Sequence, residues 1–358
     1  MNIQNKWKPI ALGLIIAFST IVIVNSFEEV SAVMDRYVGG GGTPNYATIT
    51  QALAASSSGD TIYVAYGTYN ENIVIQISIN IIGVMSGPNR PIISGTNNNN
   101  PIIDIGTNNI EVNISNMEID GASGNLVAGI RSSITTMDNH DVVIINCMIH
   151  GMTGYGSGIL LNNAYSHWIY DCNIFDNYYG VYIDSSDSNL INFCDIHNNE
   201  YDGIYVYGDD NTIDSNMIYD NGFCGVELYY SDDCTIGSYS EIYENEYGIY
   251  AYECDDFTIV GTADEDHLYQ VFVHNNTYNG IVLDYCDNLQ ISYTSTDDNG
   301  DDFRDGLVTY YCDNNIMDHV LFWDSMYCYN CDTWAISYYH IINYYLYLCT
   351  NYSWSNPI

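Results

Sequence analysis

A repeat of about 22 residues constrains the fold more than any other feature of the sequence. A glycine opens each copy, in steps of 22, 23, 22, 23, 32 and 26 residues: Gly158, Gly180, Gly203, Gly225, Gly248, Gly280 and Gly306. A unit of this size cannot bury a core of its own and has to stack on its neighbours. The repeat therefore predicts a solenoid.

Side chains alternate between apolar and polar after each glycine, as in GIYVY, which is typical of a half-buried β-strand. One apolar column is predicted to point inward: Ile159, Val181, Ile204, Val226, Ile249, Ile281 and Leu307. An asparagine column at one corner is predicted to hydrogen-bond along the axis: Asn177, Asn199, Asn221, Asn245 and Asn276. These patterns predict an all-β chain, a single-stranded right-handed parallel β-helix whose coils hold three short strands each.

The segment YATITQALAASSSGDTIYVAYGTYNENIVI, residues 46–75, resembles the entry segment of the pectin-lyase-like β-helix superfamily. Together with repeats similar to NosD-like β-helix repeats, the resemblance covers roughly residues 46–325. It implies a short helix around Ile49 to Ala55 that caps the solenoid, and a Gly59–Ile62 turn that leads into the first strand. The predicted divisions are an N-terminal segment 33–59, β-helix repeats 60–334 and a C-terminal cap or assembly segment 335–358. Function is not implied, because this solenoid carries lyases, esterases, epimerases, adhesins and inert surface proteins.

Residues 1–32 have the pattern of a secretory signal peptide. Lys6 and Lys8 precede an apolar run from Ile10 to Val24, and Val30-Ser31-Ala32 is a small-residue cleavage site. The run is short for a membrane span. The sequence thus predicts a secreted protein of the cell surface with no membrane span after cleavage.

The charge is strongly acidic, with a formal net charge of −39. After residue 32 the basic residues are Arg36, Arg90, Arg131 and Arg304, with no lysine. This balance excludes nucleic acid and anionic membranes as partners and favours divalent cations. No cofactor is required, but Ca²⁺ is a candidate at these acids: Asp232, Asp233, Asp255, Asp256, Asp297, Asp298, Asp301 and Asp302.

Eleven cysteines in an exported chain indicate oxidised chemistry. Cys147, Cys172 and Cys194 are predicted to form a column of buried thiols. A second column is predicted to be more exposed and to form disulfides within or between chains: Cys254, Cys286, Cys312 and Cys331. Metal ligation by thiols is disfavoured, because no tight cluster of Cys and His occurs in the sequence beyond Cys328 and Cys331.

No catalytic residue is assigned from the sequence. Paired acids such as Asp209 and Asp210 recur in coil after coil and are interpreted as solvated turns. Arg131 and Arg304 are the basic residues nearest the strands of the repeat, and His140 lies in the coil after Arg131. His150 and His197 fall in one outward column with Phe175 between them, about 9.6 Å apart at two coil spacings, too far to share one ion.

Tyrosine is abundant, at 36 of 358 residues. Two outward ladders are candidate assembly surfaces or sugar-stacking platforms: Tyr182, Tyr205 and Tyr250, then Tyr207, Tyr229, Tyr252 and Tyr310. Three sequons mark candidate glycosylation sites at Asn113, Asn275 and Asn351.

Two functional hypotheses remain from the sequence. In overall character the chain is similar to archaeal cell-surface β-helix proteins, including the sheath proteins of filamentous methanogens. That similarity favours a secreted structural protein, assembling with copies of itself or with other envelope proteins into a layer or sheath. The alternative is a Ca²⁺-dependent lyase or carbohydrate-binding β-helix that acts on acidic polysaccharide.

Overall fold

The structure is a computed structural model, and it describes residues 33–357 except 97–98, 107–108, 122–126, 136–141, 263–270 and 301–304. The predicted signal peptide, His140, Asp301, Asp302 and Arg304 lie outside the described residues. Among the described residues, no helix is both long and apolar enough to cross a membrane.

Short strands and one helix make up the described chain. The N-terminal elements are β1 Asp35–Val38, β2 Asn45–Tyr46, α1 Ile49–Ala54, β3 Thr61–Ala65, β4 Thr68–Asn70, β5 Ile73–Ile75, β6 Ile79–Val84, β7 Ile92–Ser94, β8 Ile103–Ile105, β9 Val112–Ser115, β10 Glu118–Asp120, β11 Ala128–Ser132, β12 Val142–Ile145 and β13 Met148–His150. The central elements are β14 Ser157–Asn162, β15 Trp168–Tyr170, β16 Asn173–Phe175, β17 Tyr179–Asp184, β18 Leu190–Asn192, β19 Asp195–His197, β20 Ile204–Tyr207, β21 Thr212–Asp214, β22 Met217–Tyr219, β23 Cys224–Tyr229, β24 Thr235–Ile236, β25 Ser240–Tyr243, β26 Tyr247–Tyr252, β27 Thr258–Val260 and β28 Val271–His274. The C-terminal elements are β29 Ile281–Asp284, β30 Gln290–Asp297, β31 Leu307–Tyr310, β32 Ile316–Tyr329, β33 Ala335–Tyr347 and β34 Ser353–Pro357.

Every third strand pairs in parallel, so three sheets run along the axis. Sheet 1 contains β14, β17, β20, β23, β26 and β29, sheet 2 contains β15, β18, β21, β24 and β27, and sheet 3 contains β16, β19, β22, β25 and β28. At β30 one long strand pairs with both β27 and β28, so the corner between sheets 2 and 3 is lost there. The parallel ladder continues past residue 334, because β33 pairs with β32 and β34 with β33.

The core is the predicted inward column and its equivalents in the other two sheets. Ile159 pairs with Val181, Val181 with Ile204 and Ile204 with Val226, and each of these side chains is fully buried. Helix α1 occupies the predicted position, with Thr48 as its N-cap and Ile49 and Ala52 buried in the same core. The predicted fold is confirmed.

The asparagine column is a hydrogen-bonded ladder, as predicted. Each side-chain Nδ2 donates to Oδ1 of the next coil, at 3.2 Å from Asn177 to Asn199 and 2.9 Å from Asn199 to Asn221. The ladder runs on through Asn245 and Asn276 and includes one further member, Asn299. All its amides are buried.

Candidate functional site on sheet 1

The outer face of sheet 1 carries a column of tyrosines that is interrupted once. Tyr182 pairs with Tyr205, Tyr205 with Glu227 and Glu227 with Tyr250 on successive strands. Tyr182 and Tyr205 stack with ring centroids 4.7 Å apart and planes 11° from parallel. The half-buried Glu227 therefore stands where the ladder would place a third ring.

Asp202 and Cys224 lie beside this break, each immediately before one of the register glycines. Both are fully buried. The backbone N–H of Cys224 donates to Oδ1 of Asp202 at 3.0 Å. One carboxylate oxygen of Asp202, one of Glu227 and the Sγ of Cys224 lie within 4.8 Å of one another. We call these three residues the acid–thiol cluster.

Burial dominates the electrostatics of the cluster. It raises the pKa of Asp202 far above the usual range, and the charge of Glu227 raises it further. Burial likewise raises the pKa values of the Glu227 carboxyl and the Cys224 thiol. Since two close carboxylates in a low dielectric resist ionising together, the cluster free of cations holds one proton between them at neutral pH.

Six tyrosines lie around the cluster, and we call them the tyrosine face: Tyr179, Tyr182, Tyr201, Tyr205, Tyr247 and Tyr250. Burial, and then nearby acids that include Glu227, raise the pKa values of Tyr201 and Tyr250 to about 12. These phenols stay protonated at neutral pH and can donate hydrogen bonds. A groove of about 330 Å³ adjoins the face, lined by Val127, Tyr155, Ser157, Leu160, Tyr179 and Tyr182.

The second predicted tyrosine ladder is a ridge at the edge of sheet 1, in which Tyr207 and Tyr229 are exposed and Tyr252 and Tyr310 are half-buried. Tyr229 and Tyr252 stack at 5.3 Å, and Tyr207 and Tyr229 are 40% and 37% exposed. Tyr310 is separated from Tyr252 in the register by Asp284. Sequence reasoning missed three exposed members that fill out the ridge, namely Tyr230, Tyr285 and Tyr311.

The turn acids form a ladder next to this ridge. Oδ1 of Asp187 accepts the backbone N–H of Asp209, and the same bond links Asp209 to Asp232 and Asp232 to Asp255. The side chains of Asp209 and Asp210 are exposed, as predicted. They are thus exposed turn residues, and the carboxylate of Asp209 also holds the next coil in register.

The candidate Ca²⁺ ligands fall at two different corners. Asp232 and Asp255 belong to the acid ladder, and Asp233 and Asp256 follow them directly in the same turns. Asp297 lies at the end of β30, where it pairs with His274 of β28, and Asp298 follows it. The stacking therefore brings the first four acids together and separates them from Asp297 and Asp298.

The two cysteine columns are both buried. Burial of Cys147, Cys172 and Cys194 is confirmed, but the greater exposure predicted for the second column is wrong. Cys254, Cys286, Cys312 and Cys331 are fully buried, because each points inward at the turn and its Sγ accepts a backbone N–H from the preceding coil. All four are free thiols in the structure, and Cys349 continues the column. Their disulfide formation stays a prediction.

The predicted histidine column is part of a longer aromatic stack on sheet 3. His150, Phe175 and His197 stack at 4.9 and 5.2 Å, and Tyr219, Tyr243 and His274 continue the series. Glu118 and Glu241 contact the two terminal histidines, at 3.2 Å from His150 and 3.0 Å from His274. Parallel stacking covers the ring faces, so this column presents edges to solvent.

The remaining predicted positions are dispersed. Arg131 pairs with Asp104 at 2.7 Å on β11 and β8. Asn275 and Asn351 are exposed, whereas Asn113 is half-buried within β9. Glycosylation at the three sequons stays a prediction.

The parallel ladders, the glycine register and the helix at the N-terminal end define a right-handed parallel β-helix with a pectin-lyase-like fold. Residues 157–266 match the family described as the right handed beta helix region. Comparison with curated proteins gave no match.

Several solved structures share this architecture at low sequence identity. The A-module of the Azotobacter vinelandii mannuronan C-5 epimerase AlgE4 has a TM-score of 0.62 at 16% identity, over 83% of this chain and 90% of that chain. The AlgE6 A-module of the same organism has a TM-score of 0.51 at 14% identity, over 86% and 94% of the two chains. The DFA-IIIase of Arthrobacter chlorophenolicus A6, in complex with GF2, has a TM-score of 0.52 at 11% identity, over 86% and 89%. Likeness at these identities shows the fold alone.

Proposed function

We propose that this protein is an extracellular polysaccharide-binding β-helix and that the chain binds along the tyrosine face. The observation that carries the proposal is the break in the tyrosine column at Glu227. Tyr205 and Tyr250 lie one coil to either side of Glu227, so their rings are about 9.6 Å apart at two coil spacings. Because a glutamate is smaller than a tyrosine, we infer that a notch with aromatic walls and an acidic floor opens between them.

This notch suits a sugar ring. Aromatic faces contact the apolar face of a pyranose, while carboxyl oxygens accept hydrogen bonds from its hydroxyls. The groove beside Tyr179 and Tyr182 extends the site along the axis, which is the direction of an extended polymer. The likeness of the fold to mannuronan epimerases and to a DFA-IIIase is consistent with carbohydrate as the ligand class.

Charge selects among polysaccharides. A net charge of −39 repels a polyanion, so uncharged chains bind without a cation, and an acidic chain binds only when a divalent cation bridges or screens the acids. The candidate Ca²⁺ positions at Asp232, Asp233, Asp255 and Asp256 lie beside the exposed ridge, so a cation there would screen the negative field and would not bridge directly to a chain on the tyrosine face.

The test is retention on immobilised polysaccharides, with an uncharged glucan and mannuronan each assayed with Ca²⁺ and with chelator. We expect glucan to be retained in both conditions and mannuronan only with Ca²⁺. Tyr205→Ala and Tyr250→Ala should each weaken binding at least about fivefold, because an aromatic side chain that stacks on a ligand ring contributes about 1–3 kcal/mol on alanine substitution. Tyr229→Ala, on the ridge, is the matched control. Absence of retention on both polymers, or equal binding by all three variants, would refute the proposal.

A second candidate, a structural protein of the cell envelope, is favoured by the exposed tyrosine ridge. Tyr230 is 43% and Tyr285 is 48% exposed, and such contiguous rings are typical of protein interfaces. Native material of this kind would elute from a sizing column as an assembly, and Tyr230→Ser with Tyr285→Ser would shift it towards monomer. A parallel run with reductant tests whether an intermolecular disulfide through Cys349, the one cysteine that is not buried, locks the assembly. A monomer in every run excludes this candidate.

A further inference from the structure

Three potential metal ligands meet in the acid–thiol cluster although they are distant in sequence. Asp202 and Cys224 occupy equivalent positions on adjacent coils, and Glu227 lies three residues after Cys224 on the same strand, β23. Their ligand atoms lie within 4.8 Å of one another. Tetrahedral zinc sites have ligand atoms about 3.3–3.8 Å apart, given bonds of about 2.0–2.3 Å, so side-chain adjustments of about 1 Å would complete the set.

A buried oxygen of Asp202 that lacks a hydrogen-bond donor also points to a ligand. Its Oδ1 accepts the Cys224 N–H, but its Oδ2 is buried and no hydrogen-bond donor among the described residues reaches it. The group that faces it is the Glu227 carboxyl, which can hydrogen-bond to it only while the pair keeps its shared proton, and a cation would replace that proton. A fully buried carboxylate oxygen without a donor is costly, and a bound cation satisfies it and offsets the repulsion between the two acids.

The donor set distinguishes among cations. Ca²⁺ takes six to eight oxygen ligands, whereas this cluster offers two carboxyl groups and a thiol. A thiolate with carboxylates in a compact set suits a borderline-soft ion, and three protein ligands leave the fourth tetrahedral position for water or another oxygen. We propose that Asp202, Cys224 and Glu227 bind one divalent transition-metal ion, with Zn²⁺ as the best match. The proposal does not rest on polysaccharide binding, although both sites use the Glu227 carboxyl, and its test with metal alone has a readout that no polysaccharide affects.

The test uses metal alone on the full chain after chelator treatment and dialysis. Zn²⁺ titration by calorimetry should give one tight site per chain. Co²⁺ in its place should produce a thiolate-to-cobalt charge-transfer absorption in the near ultraviolet, which reports the Cys224 sulfur directly.

Variants assign the site. Cys224→Ser should abolish the charge-transfer band, and Cys224→Ser or Glu227→Gln should weaken Zn²⁺ binding at least about 100-fold, since even groups outside the direct ligands are worth 10–100-fold. Cys234→Ser, another buried thiol, and Asp209→Asn, a turn acid, are the controls and should bind as wild type. Circular dichroism of each variant confirms folding, and half-buried Glu227 keeps the test valid if the Cys224 variant does not fold. Failure of folded wild-type protein to bind Zn²⁺, or binding unchanged in Glu227→Gln, would overturn the proposal in favour of a metal-free pair of carboxyls sharing a proton.

Discussion

At the scale of single residues, the register glycines are set by the spacing of the coils. A Cβ on Gly203 would lie 2.7 Å from the carbonyl oxygen of Gly225, 2.7 Å from Cγ2 of Ile218 and 2.8 Å from Nδ2 of Asn221. The Gly225 backbone and the Asn221 side-chain amide are both fixed by their own hydrogen bonds between coils, so neither can move away from an added Cβ. The glycine is therefore required by close approach between coils.

Gly203→Ala should lower the free energy of unfolding by about 1–3 kcal/mol, the usual range for overpacking. Gly106→Ala is the matched control, because a Cβ there meets nothing within 4 Å. Urea denaturation of both variants measures the difference. Equal stabilities would show that the coils separate freely at the glycine column.

His167 is a second residue whose environment fixes its chemistry. The ring is 1% exposed, Nδ1 contacts the carbonyl oxygen of Tyr165 at 2.7 Å, and Nε2 contacts Oγ of Ser132 at 2.6 Å. Burial lowers the pKa of His167 to about 4. The imidazole is therefore neutral in the folded protein.

Because the unfolded chain binds this proton near pH 6.5 and the folded chain near pH 4, the contribution of His167 to stability falls as pH decreases between these values. From pH 7 to pH 4.5 wild type should lose about 2–3 kcal/mol relative to His167→Gln, at about 1.4 kcal/mol per pH unit. Denaturant unfolding of both proteins across this range measures the difference between their free energies of unfolding. The titration of the many acids is common to both proteins and therefore cancels in that difference. Parallel curves for the two proteins would contradict a buried neutral imidazole.

At the scale of elements, side-chain ladders hold the coils in register. Asn221 donates to Asn245 at 3.0 Å and to the carbonyl oxygen of Ile196 at 3.3 Å, and its Oδ1 accepts from Asn199. The acid ladder performs the same task at an exposed corner. Each ladder joins neighbouring coils by side-chain bonds in addition to the strand pairing.

Asn221→Ala should therefore destabilise the fold by about 3 kcal/mol, because it leaves buried partners on both neighbouring coils unsatisfied at about 1–3 kcal/mol each. Asn70→Ala, at an exposed strand position, should change stability by less than about 0.5 kcal/mol. Thermal and urea unfolding measure the stability changes of both variants. A loss at Asn221 no larger than at Asn70 would mean that the ladder contributes no net stability.

The repeat made the elements predictable, whereas the site depends on what stacking brings together. The columns follow from a regular period, so inward aliphatic residues, asparagines and glycines could be placed by counting. Asp202, Cys224 and Glu227 have no motif spacing, and their one signal in the sequence is Glu227 interrupting the tyrosine column. The direction of the second cysteine column was missed because turn residues do not follow the two-residue alternation of strands.

At the scale of the whole molecule, repulsion among the many acidic side chains destabilises the folded state. The net charge is −39, and the acid ladder places Asp232 and Asp255 on adjacent coils, with a cavity of about 440 Å³ beside them that Glu253 and Asp287 also line. Repulsion of this kind weakens the folded state unless cations screen it.

Millimolar Ca²⁺ should raise the thermal midpoint by more than NaCl of matched ionic strength, because a divalent ion bound between coils stabilises the folded state selectively. The double variant Asp232→Asn/Asp255→Asn should show a smaller additional rise with Ca²⁺ over NaCl, and Asp297→Asn, at the other corner, serves as the comparison. Scanning calorimetry measures the thermal midpoints of wild type and of both variant proteins. Identical shifts with the two salts would mean general screening without a Ca²⁺ site at these acids.

The central claim is that a polysaccharide lies along the tyrosine face with a sugar ring in the notch over Glu227. A crystal structure with a bound oligosaccharide, chosen from the polymer retained in the binding assay, tests it most directly. We predict density for a sugar ring between Tyr205 and Tyr250, with a hydroxyl in hydrogen-bond contact with the Glu227 carboxyl. An oligosaccharide bound along the exposed ridge of Tyr229, Tyr230 and Tyr285, with the notch free of sugar, would contradict the account.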